Sequence, residues 1–286
     1  MSRREEILST VRSVPSLPAA AAEVVRLIRD PEVGIAEISR AIEHDPGLTS
    51  NLLRMANSAY FGIARSVGSV QEAAVCLGTK RIFQMVIASA VSPLVQRPVK
   101  GYDLPAGKLW EHSVCVAAGA EQLAEELKLE APSHLFTAGL LHDVGKLVLG
   151  TFVDVDAGPI MALAFDEEMS FEVAEAQVLG INHAEVGAAL LDSWNLPKEI
   201  VDADRWHHDP EAFPGDDTLV VDLVHVADAL SMMQGIGAGS DGLNYRSCAA
   251  VTERLKLKTA VTEVVACHTV AKLGELRDLF THGKGR

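Results

Sequence analysis

Cysteine is scarce in this chain, and what there is does not pair. Cys76, Cys115, Cys248 and Cys267 are the only four in 286 residues, and none forms a CxxC spacing. That pattern excludes a disulfide framework and a thiolate zinc cage, and it predicts a reducing, cytoplasmic compartment. Positive charge is also in short supply: 25 Lys and Arg stand against 39 Asp and Glu, for a formal charge of -14. A field of that sign repels a phosphate backbone, so no nucleic-acid partner is expected. A small phosphorylated ligand remains compatible, provided a local cation reverses the sign. Aromatics make up only 5%, and the apolar content is dominated by Ala, Leu and Val, which favours helix–helix packing. No run approaches about 18 consecutive apolar residues, so no membrane span is expected. The N-terminal MSRREEILSTVRSV has charges but no apolar core, unlike a signal peptide.

What is present is helical periodicity, nearly from end to end, with almost no strand alternation. The pattern predicts an all-α chain, with helices over 19–29, 35–43, 47–57, 70–77 and 79–91, the last two split at Gly78. Pro93, Pro98, Gly101 and Pro105 then crowd one stretch, the composition of a boundary. Two lobes follow from it, 1–100 and 101–286. In the second, helices are predicted over 106–128, 133–150, 169–179, 183–194, 198–208, 217–233 and 259–280. The Gly-rich 234–247 reads as a mobile loop. The helices 35–43 and 47–57 have a helix-turn-helix outline, but with no basic footprint beside them two ordinary packed helices are the expectation.

One short stretch stands out: GLLHDVGKLVLG at 139–150. On a continuous helix, at about 100° per residue, His142, Asp143, Lys146, Gly139 and Gly150 share one stripe, and leucines and valines fill the rest. Charges in such a place are costly unless paired or bound to metal. A self-paired core couple would explain His142-Asp143 taken alone. Other segments repeat the puzzle. His112 shares a helix face with Leu109, Cys115 and Val116. His183 opens a helix that Asn182 can cap, with Glu185 at the capping-box position. His207 and His208 end a helix, where the dipole accounts for one imidazole better than two. Asp228 sits in VVDLVHVADALSMM on a face with Val221, Val224 and His225. These segments share one cost if they converge on a metal, and neutral imidazole plus carboxylate suits Fe, Mn, Zn, Co or Ni.

The order His112, His142-Asp143, Asp228 resembles the HD superfamily of metal-dependent phosphohydrolases. His183, His207 and His208 resemble the further ligands of the HD-GYP branch, which hydrolyses cyclic dinucleotides. There are two departures: DPEAFPGDD follows His207-His208 with no GYP segment, and Lys108 stands where a glutamate would help hold a third metal. The closer resemblance is to the HDOD family of bacterial signalling proteins. It is carried by VPSLP at 14–18, HDPGLTSNLLRMANSAYFG at 44–62, CLG at 76–78, LLHDVGKLVL at 140–149, NHAEVGAALLDSWNLP at 182–197 and WHH at 206–208. The resemblance implies an N-terminal helical lobe packed on an HD-like bundle. It also implies one or two divalent transition metals, Fe or Mn ahead of Zn or Ni, at His112, His142, Asp143 and Asp228, and at His183, His207 and His208, with Asp143 bridging. Asp143 and Lys146 would be the catalytic pair if the site works on a phosphoester. Two functions stay open: a regulatory module that engages signalling proteins, with a cyclic nucleotide as a further ligand class, and a metal-dependent phosphohydrolase. No receiver, kinase or cyclase segment accompanies the stretch, so a stand-alone module is expected.

Overall fold

The computed structural model describes residues 2–63, 65–166, 169–242 and 245–281. Among them the chain is all-α, and the sole β contact is an isolated bridge between Val99 and Leu104. It divides into two compact units, residues 1–15 with 94–271, and residues 16–93 with 272–286. The sequence reading drew one seam near residue 100; the structure groups both termini across that seam.

The first helix, α1 (Arg3–Val11), belongs to the larger unit. Ser2 and Glu5 close a reciprocal capping box at its start. Its Ile7 and Val11 are buried, and Arg3 and Arg4 reach Asp156 at 2.6 Å and Glu185 at 2.9 Å. Exposed pairs of this kind contribute little, so the buried aliphatics hold the helix in place.

The smaller unit contains α2 (Ala19–Leu27), α3 (Ile35–Glu43), α4 (Pro46–Ala56) and most of α5 (Val70–Val95). Asp45 caps α4 with Pro46 at its first turn, an arrangement in which the missing proline N–H costs nothing. Gly78 breaks α5 with φ 80 and ψ 163, as expected from the sequence. The core of the unit includes Val24, Ile42, Leu52, Met55 and Phe83.

The larger unit continues with α6 (Lys108–Glu126), α7 (Leu135–Leu141), α8 (Lys146–Val155), α9 (Ala157–Asp166), α10 (Phe171–Leu179), α11 (His183–Ser193), α12 (Lys198–Trp206), α13 (Leu219–Met233), α14 (Ala249–Arg254) and the first part, to residue 271, of α15 (Thr259–Thr281). Helices α6, α7 and α13 pack on one another, α12 lies against α7, α11 and α13, and α8 lies against α11. Among the described residues, Val70–Val95 and Leu135–Val155 are long and apolar enough, by length and composition alone, to cross a membrane. Neither is an unbroken helix: the first is kinked at Gly78, and the second is interrupted at 142–145, with 83% of its apolar window inside the fold.

That interruption corrects the continuous helix expected over 133–150. His142, Asp143, Val144 and Gly145 form a chain of tight turns. His142 and Gly145 keep right-handed dihedrals, but hydrogen bonds run from Val144 N–H to Leu141 O, Lys146 N–H to Asp143 O and Leu147 N–H to Val144 O. With this tighter winding both His142 and Asp143 are buried. Close approach of neighbouring backbones makes room for it. A Cβ on Gly139 would lie 2.8 Å from Ala117 Cα, and one on Gly145 would lie 1.9 Å from His183 O.

Candidate metal centre

The seven residues nominated from sequence as ligands meet inside the larger unit. His112 comes from α6, and His142 and Asp143 from the turn between α7 and α8. His183 is the first residue of α11, His207 and His208 follow α12, and Asp228 lies on α13. Asn182 caps α11 by accepting from Glu185 N–H at 2.9 Å, which sets His183 at the helix mouth. The Glu185 side chain does not close a capping box; it reaches Arg4 instead.

Asp143 stands between two groups of donors. Its Oδ2 lies 3.5 Å from both His112 Nε2 and His142 Nε2, and Asp228 Oδ1 lies 3.0 and 3.6 Å from the same two nitrogens. Its Oδ1 lies 3.4 Å from His183 Nε2 and 3.9 Å from His207 Nε2, and His208 Nε2 is 2.8 Å from His183 Nε2. Within each group, Asp143-His183-His207-His208 and His112-His142-Asp228, the donor atoms all lie within 4.8 Å of one another.

The far side is anchored in four of the imidazoles, those of His112, His142, His183 and His207. His112 Nδ1–H donates to Ile236 O at 3.0 Å, His142 Nδ1–H to Gly139 O at 2.8 Å, and His207 Nδ1–H to Asp204 O at 2.6 Å. A carbonyl can only accept, so the proton of each neutral ring is on Nδ1 and the Nε2 lone pair is free. His183 Nδ1 sits 2.8 Å from Glu175 Oε2. Yet His112 Nε2, His142 Nε2, His207 Nε2 and Asp143 Oδ1 are buried with no hydrogen-bond partner. Orphaned lone pairs that converge while their ring partners are fixed fit a divalent cation, and the set has the outer-shell support that metal histidines have.

The electrostatics agree. Burial alone would raise the Asp143 carboxyl, but the Lys146 ammonium and the surrounding imidazoles hold it well below the usual range. Asp228 is held low in the same way, against burial, by the adjoining imidazoles of His112 and His142. Burial and the neighbouring His142 push His207 down to about 3, and burial with His207 and His183 pushes His208 well down. His183 is raised: Glu175 outweighs the effect of burial. The carboxylates of Asp143 and Asp228, held low, and the imidazoles of His207 and His208, pushed down, are in the protonation state a metal requires, while His142 and His183 are raised and would give up any proton they hold to an arriving metal.

Lys146 is buried, 2.6 Å from Asp143 Oδ2, and it also pairs with Asp241. Sequence reasoning missed Asp241. It placed 234–247 as a mobile loop, whereas 234–242 is packed into the site: Ile236 O takes His112, Asp241 takes Lys146, and a Cβ on Gly237 would lie 2.6 Å from His112 Cβ. It also missed Tyr245, whose hydroxyl bonds Asp228, and Glu175 and Asp204. Asp204 is fully buried with neither oxygen partnered, and burial together with Asp143 raises its carboxyl well above the usual range. Lys108, expected to spoil a third metal position, instead pairs with Glu111 at 2.7 Å.

Residues 14–210 match the HDOD domain family. Among solved structures, an HDOD domain protein of unknown function from Geobacter sulfurreducens is 26% identical, with a TM-score of 0.71 over 97% of this chain and 98% of that one. A protein from Shewanella amazonensis SB2B, described as a candidate phosphohydrolase, is also 26% identical, with a TM-score of 0.71 over 96% and 97%. An uncharacterised protein of Treponema pallidum is 26% identical over 205 residues, 71% of this chain but only 39% of that longer protein.

Proposed function

This chain belongs to the HDOD domain family, and from that membership we propose that it is a cytoplasmic signalling module whose larger unit holds divalent metal. The residues suit two ions side by side. His112, His142 and Asp228 would hold one, His183, His207 and His208 the other, with Asp143 shared between them. The observation that carries this reading is Asp143 itself, a single carboxylate whose two oxygens face separate sets of imidazoles, with His112, His142 and His207 each presenting an unpartnered Nε2. Imidazole and carboxylate without thiolate suit Fe, Mn, Zn, Co or Ni, and among these the reading puts Fe or Mn ahead of Zn or Ni. The free thiols at Cys76, Cys115, Cys248 and Cys267 suit a reducing compartment.

A regulatory role follows from the closure of the site. Every nominated ligand except His208 is almost fully buried, and the Lys146 ammonium is already taken by two carboxylates. Metal held this way stabilises one arrangement of the helices, which signalling proteins or a cyclic nucleotide can then read. Chelator-stripped protein, compared with protein purified without added metal, tests it by elemental analysis. About two ions per chain are expected in the unstripped sample; a metal-free chain that takes up neither Mn nor Fe would sink the reading.

A second reading, phosphoester hydrolysis, is favoured by Lys146 at the edge of Asp143 and by the description of the Shewanella relative. The metals, when bound, would supply Lewis acidity and a water of lowered pKa. Lys146 would meet a phosphate oxygen once Asp241 gave it up, and Asp143 would keep its position between the two donor sets. Turnover of cyclic dinucleotides or a model phosphodiester by Mn- or Fe-loaded protein would favour this reading; none under any metal would exclude it.

A further inference from the structure

The two halves of the centre are not equal in charge. The half built from His112 and His142 has a carboxylate of its own, Asp228, as well as a share of Asp143. The half built from His183, His207 and His208 has only its share of Asp143. Three neutral nitrogens and half of one negative charge make a weak counterweight for a dication in a buried place.

Glu175 stands directly behind the second half. It projects from α10, is fully buried, and receives three hydrogen bonds. Its Oε2 accepts from the His183 backbone N–H at 2.9 Å and from His183 Nδ1–H at 2.8 Å, and its Oε1 accepts from the Tyr102 hydroxyl. The other anchored histidines of the centre donate to neutral carbonyls of Ile236, Gly139 and Asp204. His183 alone among them donates to a carboxylate. A carboxylate behind an imidazole makes the opposite nitrogen a stronger donor and places a negative charge one ring away from the metal.

We propose that Glu175 is a positioning residue that supplies the charge missing from the His183 half, so that it sets the affinity for the second metal and leaves the first unaffected. This rests on the two-metal reading of the centre. A bland alternative is at hand: Glu175 caps the first amide of α11 and does nothing more. The two separate on Glu175→Gln. The amide oxygen can still accept from His183, so the cap survives while the charge goes.

The test is titration of Zn2+ into the chelator-stripped full chain, followed by calorimetry, elemental stoichiometry and far-UV circular dichroism. Wild type is expected to take two ions. Glu175→Gln is expected to keep its helical spectrum and the first ion within about twofold, and to lose about 10–100-fold in affinity for the second. Glu175→Asp, which keeps the charge, should recover part of that loss. Tyr102→Phe removes one hydrogen bond from Glu175 without touching the charge, so both affinities should stay near wild type. Equal affinities in Glu175→Gln and wild type, or an equal loss of both ions, would overturn the inference. So would loss of the second ion in Tyr102→Phe, which would point to geometry rather than charge. A wild-type chain that binds no metal would instead bring down the two-metal reading beneath it.

Discussion

The Lys146 ammonium lies 2.6 Å from Asp143 Oδ2, the same carboxylate oxygen that faces His112 and His142. Both residues are buried, so the ammonium compensates the carboxylate before any metal arrives. Burial would lower the Lys146 pKa, but Asp143 and Asp241 raise it, and the side chain stays charged at any ordinary pH. Lys146→Met therefore leaves two carboxylates buried without their cation. In metal-free protein the expected loss is about 3–5 kcal/mol of unfolding free energy, read from the urea midpoint. Saturating Mn2+ should recover part of it, because a bound dication supplies positive charge to the same oxygen. An equal loss with and without Mn2+ would contradict the placement of a metal at Asp143.

His207 sets the acid side of metal-free stability. Its folded-state pKa is pushed down to about 3 by burial and by His142, while in the unfolded chain it is near 6.5. Below about 6.5 the unfolded state takes a proton that the folded state refuses. Its stabilising contribution is therefore complete above about 6.5 and is lost as the pH falls toward 3. His142 and His183 have raised values and act oppositely: their contribution is present below about 6.5 and lost as the pH rises through their folded values. The wild-type curve mixes these slopes, so the difference between wild type and His207→Asn isolates one of them. The destabilisation by His207→Asn should shrink between pH 7.5 and 4.5, by up to about 1.4 kcal/mol per pH unit. A difference independent of pH would mean that His207 is not held neutral.

Much of this centre was legible because it is written in residues that a buried helix face should not carry. His112, His183 and Asp228 stand among leucines, valines and alanines, and His207-His208 is one imidazole too many for a helix end. The structure brings all seven nominated residues into one place. His142, Asp143 and Lys146 do come together, but the continuous helix expected over 133–150 breaks at 142–145, because periodicity reports an average winding and the turns there bring Gly145 against α11, a contact far away in sequence. Glu175 was invisible for a related reason: in FEVAEAQVL it looks like Glu172, an ordinary acid on an amphipathic helix. Asp241 was hidden in a Gly-rich stretch whose glycines read as freedom. In the structure Gly237 and Gly239 serve close approach, to His112 and to Tyr102 O.

Gly145→Ala tests that contact. The added Cβ would fall 1.9 Å from His183 O and 2.5 Å from Gly187 N, both backbone atoms that no side-chain rotation can clear. Helix α11 must move away from the turn that carries His142 and Asp143. Overpacking of this sort costs about 1–3 kcal/mol, and the shift separates His183 from Asp143. The variant should lose stability in urea and hold fewer than two ions by elemental analysis. Wild-type stability with full metal content would show that the approach is looser than the structure has it.

Asp241 decides whether Lys146 is available to an anionic ligand. Its Oδ2 pairs with the ammonium, its Oδ1 has no hydrogen-bond partner among the described residues, and the Lys146 side chain lies over the Tyr102 ring at 5.5 Å. A phosphate oxygen near the metals would have to compete with that carboxylate. Asp241→Asn keeps the size and an acceptor but removes the charge that holds the ammonium. Hydrogen bonds to charged groups contribute about 1.5–3 kcal/mol, and each 1.4 kcal/mol is about tenfold in affinity. Inorganic phosphate should thus bind Mn-loaded Asp241→Asn about 10–100-fold more tightly than Mn-loaded wild type, by calorimetry. The gain should vanish in the double variant Asp241→Asn, Lys146→Met, because the ammonium is what the substitution releases. A gain that survives without Lys146 would assign the anion to the metals alone, and no gain in the single variant would mean that Asp241 is no competitor for Lys146.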